Sequence, residues 1–168
     1  TYKELKEIMS TVYDDCSIVL QDDIYQKDNK NDYELIVPSN RKVYLDLNGY
    51  GITRETQGND MGLFRVKSDA KLHIFDSSGA QTGFCTFSEG YSTYNKAVFH
   101  NEGGSLKITG GYYEILSPYQ QGDCSVIRTT SGITEIYGGT FDSSTAWGGD
   151  TISVGHDAYF YEVPQVYI

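Results

Sequence analysis

Four side chains that can do acid–base or charge chemistry lie at the centre of four similar hydrophobic triplets. If the triplets stack as strands of one sheet, these side chains form an outward ladder with steps of about 4.8 Å. A carboxylate, an imidazole and an ammonium on one surface could act as base, acid and charge clamp. The same alternation of charge also suits a solvated sheet face, since it keeps like charges apart. The four residues are Asp46, His73, Lys107 and Glu135.

A second candidate pair is His100 and Arg128. Each lies two residues after a valine, Val98 or Val126. These valines are interpreted as part of a second aligned strand series, ten residues before the end of each triplet, which runs through Val37, Phe64, Val98 and Val126. The spacing predicts that the imidazole and the guanidinium lie side by side on an exposed sheet. There they could bind a carboxylate or sulfate group of a sugar, or they could simply end their strands and hydrogen-bond the turn.

Aromatic side chains are the third kind of candidate. Flat rings that carry a polar group stack well on sugar rings and are favoured at protein interfaces, although tyrosine is equally common as a half-buried strand residue. The insertions 84–95 and 118–123 are expected to overhang the same side of the fold and to form a binding patch. The aromatic candidates are Tyr44, Tyr91, Tyr94, Tyr119 and Trp147.

The charge balance argues against a nucleic-acid partner. The chain has 23 Asp and Glu against 13 Lys and Arg, a formal net charge of -10, and no basic stripe that would neutralise phosphates. Acidity leaves room for Ca²⁺, which prefers oxygen ligands, but the acidic residues lack the spacing of a calcium loop. We therefore assign no catalytic residue and no metal ligand. No apolar run reaches the length that inserts into a membrane.

The three cysteines are Cys16, Cys85 and Cys124, and they cannot all pair within one chain. None has the CxxC spacing of zinc or redox sites, so free buried thiols are the simplest interpretation. A Cys16–Cys124 or Cys85–Cys124 bridge in an oxidising compartment stays open.

The elements that must position these residues come from an internal repeat. The triplets recur at spacings of 27, 34 and 28 residues, and Gly-Gly follows the last two of them. A repeat this short, with two or three strands and no helix, cannot bury its apolar side chains alone, whereas stacked coils can. The pattern predicts an all-β parallel solenoid of about five coils in which each coil repeats one hydrophobic pattern.

The two ends of the chain differ from the repeat. Apolar residues at helical spacing in YKELKEIMSTVY predict a short amphipathic helix that covers the open first coil. We expect a single domain over 1–168, with the cap helix in 1–14, the coils in 15–160, and a C-terminal cap or a continuation in 161–168.

Two segments and the two Gly-Gly coils resemble a known family. Residues 43–52 (VYLDLNGYGI) and 69–74 (DAKLHI) are similar to the right-handed parallel β-helix repeats of the pectate-lyase-like superfamily. The resemblance covers roughly residues 15 to 160 and rests on the pattern of the coils. It implies a right-handed parallel β-helix at the surface of, or secreted by, bacteria. In the pectate lyases of that superfamily, Ca²⁺ held by Asp and Glu neutralises the substrate and an Arg is the base.

The expected function is a non-catalytic extracellular or cell-surface module that binds carbohydrate or another surface in adhesion. No convergent set of acid, base and metal ligands is visible, and about five coils make a column only about 25 Å high. One alternative is a fragment of a polysaccharide lyase or glycoside hydrolase that acts on an acidic polysaccharide. A second alternative is a structural stalk or spacer.

Overall fold

The computed structural model describes residues 1–11, 15–28, 34–57, 62–89, 96–117, 124–146, 150–155 and 165–168. The chain begins with one helix, α1 (Tyr2–Thr11), and continues almost entirely in strands. The strands in chain order are β1 (Cys16–Val19), β2 (Ile24–Asp28), β3 (Leu35–Val37), β4 (Lys42–Asp46), β5 (Gly51–Thr56), β6 (Gly62–Val66), β7 (Lys71–Phe75), β8 (Phe84–Glu89), β9 (Lys96–Thr109), β10 (Tyr112–Leu116), β11 (Cys124–Ile136), β12 (Thr140–Asp142), β13 (Ile152–Val154) and β14 (Gln165–Tyr167).

The described strands pair in parallel and build a solenoid with three faces. Face 1 holds β1, β4, β7, the C-terminal halves of β9 and β11, and β14. Face 2 holds β2, β5, β8, β10 and β12. Face 3 holds β3, β6, the N-terminal halves of β9 and β11, and β13. The predicted all-β parallel solenoid with a short N-terminal helix is confirmed, with about four turns rather than five.

Each described corner from face 3 to face 1 contains a residue with a left-handed backbone. Asn40 and Asp69 have φ of 62° and 61°, and Gly103 and Gly132 have φ of 117° and 83°. Asn and Asp tolerate this conformation better than most side chains, and glycine adopts it without strain. Glycine is required at Gly132, because a Cβ there would come within 2.2 Å of the Gly104 carbonyl oxygen. The two long strands β9 and β11 bend at these glycines and therefore serve two faces.

Side chains that point into the solenoid form continuous columns from coil to coil. Leu72, Leu106 and Ile74 of face 1 are almost fully buried. On face 3 the rings of Phe64 and Phe99 stack with centroids 5.1 Å apart. Burial of an apolar side chain of this size contributes about 1.5–3 kcal/mol. Like residues therefore stabilise one another along each column, which explains why the sequence repeats.

The helix α1 covers one end of this core, as predicted. Tyr2, Leu5 and Met9 are buried and belong to the same apolar cluster as the strands. The N-terminal amine and the Thr1 hydroxyl both donate to Glu4, which holds the first turn. The helix packs against β3 and β2, so it shields the first coil from water.

The register differs from the predicted alignment in two places. Tyr44, and not Asp46, pairs with His73, because the alternating inward positions Val43, Leu45 and Leu47 still point inward after a slip of two residues. On face 3, Phe64 pairs with Phe99 rather than with Val98. In this stretch, hydrophobicity alone does not distinguish the inward-pointing residues from their neighbours.

The core column of face 3 is therefore not the predicted series of Val37, Phe64, Val98 and Val126. It runs instead through Leu35, Phe64, Phe99 and Ile127. Ala97, Val98 and Phe99 are all fully buried, so alternation between core and surface cannot be recognised in that stretch of sequence.

Candidate functional site

A groove of about 230 Å³ lies on the outside of face 1. Its residues come from β4, β7, β9 and β11 in register, so the sheet itself fixes their spacing. One outward column is Tyr44, His73, Lys107 and Glu135, and beside it runs Lys42, Lys71 and Ser105. The predicted ladder is thus confirmed at His73, Lys107 and Glu135, and Tyr44 takes the place of Asp46.

Two aromatic contacts lie in or beside the groove, and the one between Tyr44 and His73 is edge to face. The rings of Tyr44 and His73 have centroids 6.1 Å apart at 69°, and His73 lies 5.0 Å from the ring of Phe75. Tyr44 is 42% exposed, so one surface of its ring is free to contact a ligand. Two residues predicted to bind a ligand, Tyr44 and His73, therefore lie together.

The imidazole of His73 is held in a defined orientation. Its Nε2 lies 3.2 Å from the Thr109 hydroxyl. Partial burial, and then the positive charge of Lys107, lower the pKa of His73. The ring is therefore largely neutral at pH 7, and an anion placed beside it would favour its protonation.

Asp46 has a structural role and does not belong to the ladder. Its carboxylate accepts hydrogen bonds from the Asn48 amide (2.9 Å) and from the amide and hydroxyl of Ser77 (3.0 and 2.6 Å). The side chain turns toward the corner between faces 1 and 2 and is mostly buried. The groove therefore has one carboxylate fewer than the sequence predicted.

His100 and Arg128 pair in register on face 3, as predicted, but His100 is not exposed. Its accessible fraction is 3%, and its Nδ1 lies 3.5 Å from Glu102 Oε1. Arg65 pairs with His100 on the other side and makes an ion pair with Glu34 at 2.8 Å. The expectation of an open imidazole–guanidinium surface is therefore wrong, because acidic neighbours and the surrounding chain enclose the imidazole.

The remaining aromatic candidates, Tyr91, Tyr94, Tyr119 and Trp147, lie outside the described residues. Residues 84–89 form strand β8 and are not part of an insertion. The segments 90–95 and 118–123 lie outside the described residues; in the sequence each stands between a face 2 strand and a face 3 strand.

Face 2 carries a pair of carboxylates that the triplets did not predict. Glu114 and Asp142 are register partners on β10 and β12, and the Tyr112 hydroxyl donates to Asp142 at 3.0 Å. Burial and the nearby charge of Asp142 raise the pKa of Glu114, whereas hydrogen bonds from Ser144 lower the pKa of Asp142. The sequence signal was the aligned Tyr112-Tyr113-Glu114 and Thr140-Phe141-Asp142 after the two Gly-Gly pairs.

The cysteines, the possible metal ligands and the possible membrane spans can also be compared with the sequence predictions. Cys16, Cys85 and Cys124 are free thiols, and burial raises the pKa of Cys85 far above its usual value, so that thiol is unreactive. Within the described ranges, no group of three or more His, Cys, Asp or Glu side chains is placed to hold a metal ion. No helix in the same ranges has the length and apolar character needed to cross a membrane.

Comparison with known proteins gives no relative: no family, curated protein or solved structure matches this chain.

Proposed function

We propose that this protein is a non-catalytic module that binds carbohydrate at the groove of face 1, outside the cell or at a cell surface, in adhesion. The observation that carries the proposal is the juxtaposition of an exposed ring, Tyr44, with His73 and Lys107 on three neighbouring strands. A ring offers a stacking surface for a sugar, and the polar groups beside it can fix the orientation of hydroxyl or acidic substituents.

The rigidity of the solenoid supports this assignment. Each outward side chain of the groove stands on a strand that is paired on both sides, and the core beneath it is mostly apolar, with the buried Thr134 hydrogen-bonded to Thr129 and Asn101. A preorganised site loses little conformational entropy on binding. The resemblance to the pectate-lyase-like superfamily is a finer part of the proposal, supported by the parallel coils and the repeated glycine corners.

The proposal is tested by binding of the purified protein to an array of plant, microbial and host glycans, with Ca²⁺ and again with chelator. We expect selective, metal-independent binding that Tyr44→Ala weakens about tenfold, since a lost aromatic contact costs about 0.5–1.5 kcal/mol beyond its burial. Tyr25→Ala is the control, because Tyr25 is 57% exposed on face 2. No binding to any glycan would contradict the proposal, and a trimer that buries face 1 would favour a structural stalk.

A second candidate function is hydrolysis or lytic cleavage of an acidic polysaccharide at face 2. Its support is the Glu114 and Asp142 pair, because two adjacent carboxyl groups with opposite pKa shifts suit an acid and a base or nucleophile. Release of reducing or unsaturated sugar ends that disappears in Glu114→Gln would establish this activity. Intact polysaccharide after long incubation would exclude it for the substrates used.

A further inference from the structure

The groove on face 1 is locally basic although the chain as a whole is acidic. The formal net charge is -10, from 23 acidic and 13 basic residues. The groove nevertheless contains Lys42, Lys71, Lys107 and His73 against a single carboxylate, Glu135. A charge distribution that opposes the net charge of the protein produces a local potential that attracts anions.

Two of the lysines in the groove have no ion pair with a described residue. Lys42 is paired with Asp15 at 2.9 Å, whereas Lys71 and Lys107 have no comparable partner in the described part of the chain. The Lys107 ammonium lies 4.5 Å from the centroid of the Tyr137 ring. The Tyr137 hydroxyl in turn donates to Glu135 at 3.0 Å.

This arrangement carries a cost for the fold. Lys42 and Lys71 are direct register partners on adjacent strands. Lys107 faces Glu135 on one side and His73 on the other, so a second like-charge pair arises only when His73 is protonated. Like charges that face each other across a strand pair destabilise the sheet. The sequence predicts a carboxylate, Asp46, in this ladder, but that side chain accepts hydrogen bonds from Asn48 and Ser77 at the corner instead. The positive charges therefore remain concentrated in the groove, where a bound anion would offset their repulsion.

We propose that the ligand of this groove is an anionic polysaccharide whose repeating units carry carboxylate or sulfate groups. Lys71, Lys107 and protonated His73 surround the anionic group, and the sugar ring lies against Tyr44. The interaction is a direct ion pair and needs no divalent cation. This inference rests on the proposed function and adds the chemical class of the ligand.

Binding of this kind is sensitive to pH through His73. An anion stabilises the protonated imidazole, so affinity increases as the pH falls from 8 to about 5.5, while sugar carboxylates stay ionised. The titratable or charged groups that face His73 are Tyr44 and Lys42 on β4, Lys71 on its own strand, Lys107 on β9 and Glu135 on β11.

The test compares charged and neutral forms of the same glycans. The contribution of carboxylates is measured by comparing alginate with its neutral propylene-glycol ester. The contribution of sulfates is measured by comparing dextran sulfate with dextran. Each affinity is measured at low and at physiological salt, with chelator present. We expect binding to at least one charged form and at least tenfold weaker binding to its neutral form. The double substitution Lys71→Gln and Lys107→Gln should weaken binding to the charged form about tenfold and reduce its salt dependence.

The control has the same change in net charge at a distance from the groove. Lys3→Gln with Lys27→Gln removes two exposed lysines, one on α1 and one on face 2, and should leave affinity unchanged. His73→Gln should abolish the increase in affinity at low pH. Equal loss in both double variants, or equal binding of charged and neutral forms, would overturn the inference while leaving a glycan-binding module intact. Absence of binding to any glycan on the array would reject the proposed function itself.

Discussion

Buried aspartates at the corner between faces 1 and 2 explain how one turn of the solenoid is joined to the next. Asp76 accepts hydrogen bonds from the amides of Gly49, Ser78 and Gly83 at 2.9, 3.0 and 2.6 Å. Gly49 belongs to the preceding coil, so the carboxylate fixes two coils at once. Burial opposes ionisation of Asp76, but the bonds from Gly83, Ser78 and Gly49 outweigh it and lower its pKa.

Asp76→Asn is expected to destabilise the protein by about 2 kcal/mol, because hydrogen bonds to a charged group contribute about 1.5–3 kcal/mol. An amide in this place loses the negative charge and turns a donor toward backbone amides. Urea denaturation at pH 7 measures the difference. Asp150→Asn is the control, since Asp150 is exposed, and it should change the free energy of unfolding by less than about 0.5 kcal/mol.

The same carboxylate gives a pH dependence with a definite sign. Because the pKa of Asp76 is lower in the folded state, its stabilisation is complete above the unfolded pKa of about 3.9 and is lost as the pH falls through the folded pKa. Wild-type protein should therefore lose more stability between pH 5 and about 2 than Asp76→Asn does. Parallel curves for the two proteins would contradict this role of Asp76.

At the scale of elements, the bends within β9 and β11 allow one continuous strand to pair with neighbours in both face 3 and face 1. Gly132 has φ of 83°, and a Cβ there would meet the Gly104 carbonyl oxygen at 2.2 Å and the Gly103 carbonyl carbon at 2.6 Å. Asn101 supports the neighbouring bend, since its amide group bonds to Gly104 and to the Ile133 carbonyl oxygen. The corner is thus packed backbone against backbone.

Gly132→Ala is expected to destabilise the protein by about 2 kcal/mol or more, because the left-handed conformation costs about 1–2 kcal/mol and the Cβ adds a steric clash. Gly79→Ala is the matched control, since a Cβ at Gly79 meets nothing within 4 Å. Thermal unfolding of both variants measures the effect. If Gly132→Ala is as stable as Gly79→Ala, the coils do not approach at this corner as described.

At the scale of the whole molecule, the architecture could be predicted from the sequence because a parallel solenoid repeats its pattern in every coil. The triplets around His73, Lys107 and Glu135, the glycine corners and the cap helix were all visible in it. The register of the first full coil could not be predicted. Val43, Leu45 and Leu47 all point inward at every second position, so more than one triplet in this stretch fits the pattern. A slip of two residues left the core unchanged and exchanged Tyr44 for Asp46 on the surface.

The candidate site was predictable only in part for the same reason. The chemistry of Tyr44 and His73 marks them as candidates, but their contact depends on register. The burial of His100 depends on the side chains packed around it, such as Glu102, whose placement the hydrophobic pattern does not indicate. Nothing in the sequence distinguishes Lys71, because a lysine at the start of a strand resembles an ordinary solvated residue. Only the structure shows that it lies with Lys107 in the same groove.

The most direct test of the account is to map which face responds when a glycan binds. Isotope-labelled protein is titrated with a short oligomer of the strongest glycan from the array, and backbone amide shifts are followed by NMR. The largest shifts are predicted at Tyr44, His73 and Lys107 on face 1, with Glu114 and Asp142 on face 2 unchanged. Shifts centred on Glu114 and Asp142, or an array with no bound glycan, would contradict face 1 as the binding surface.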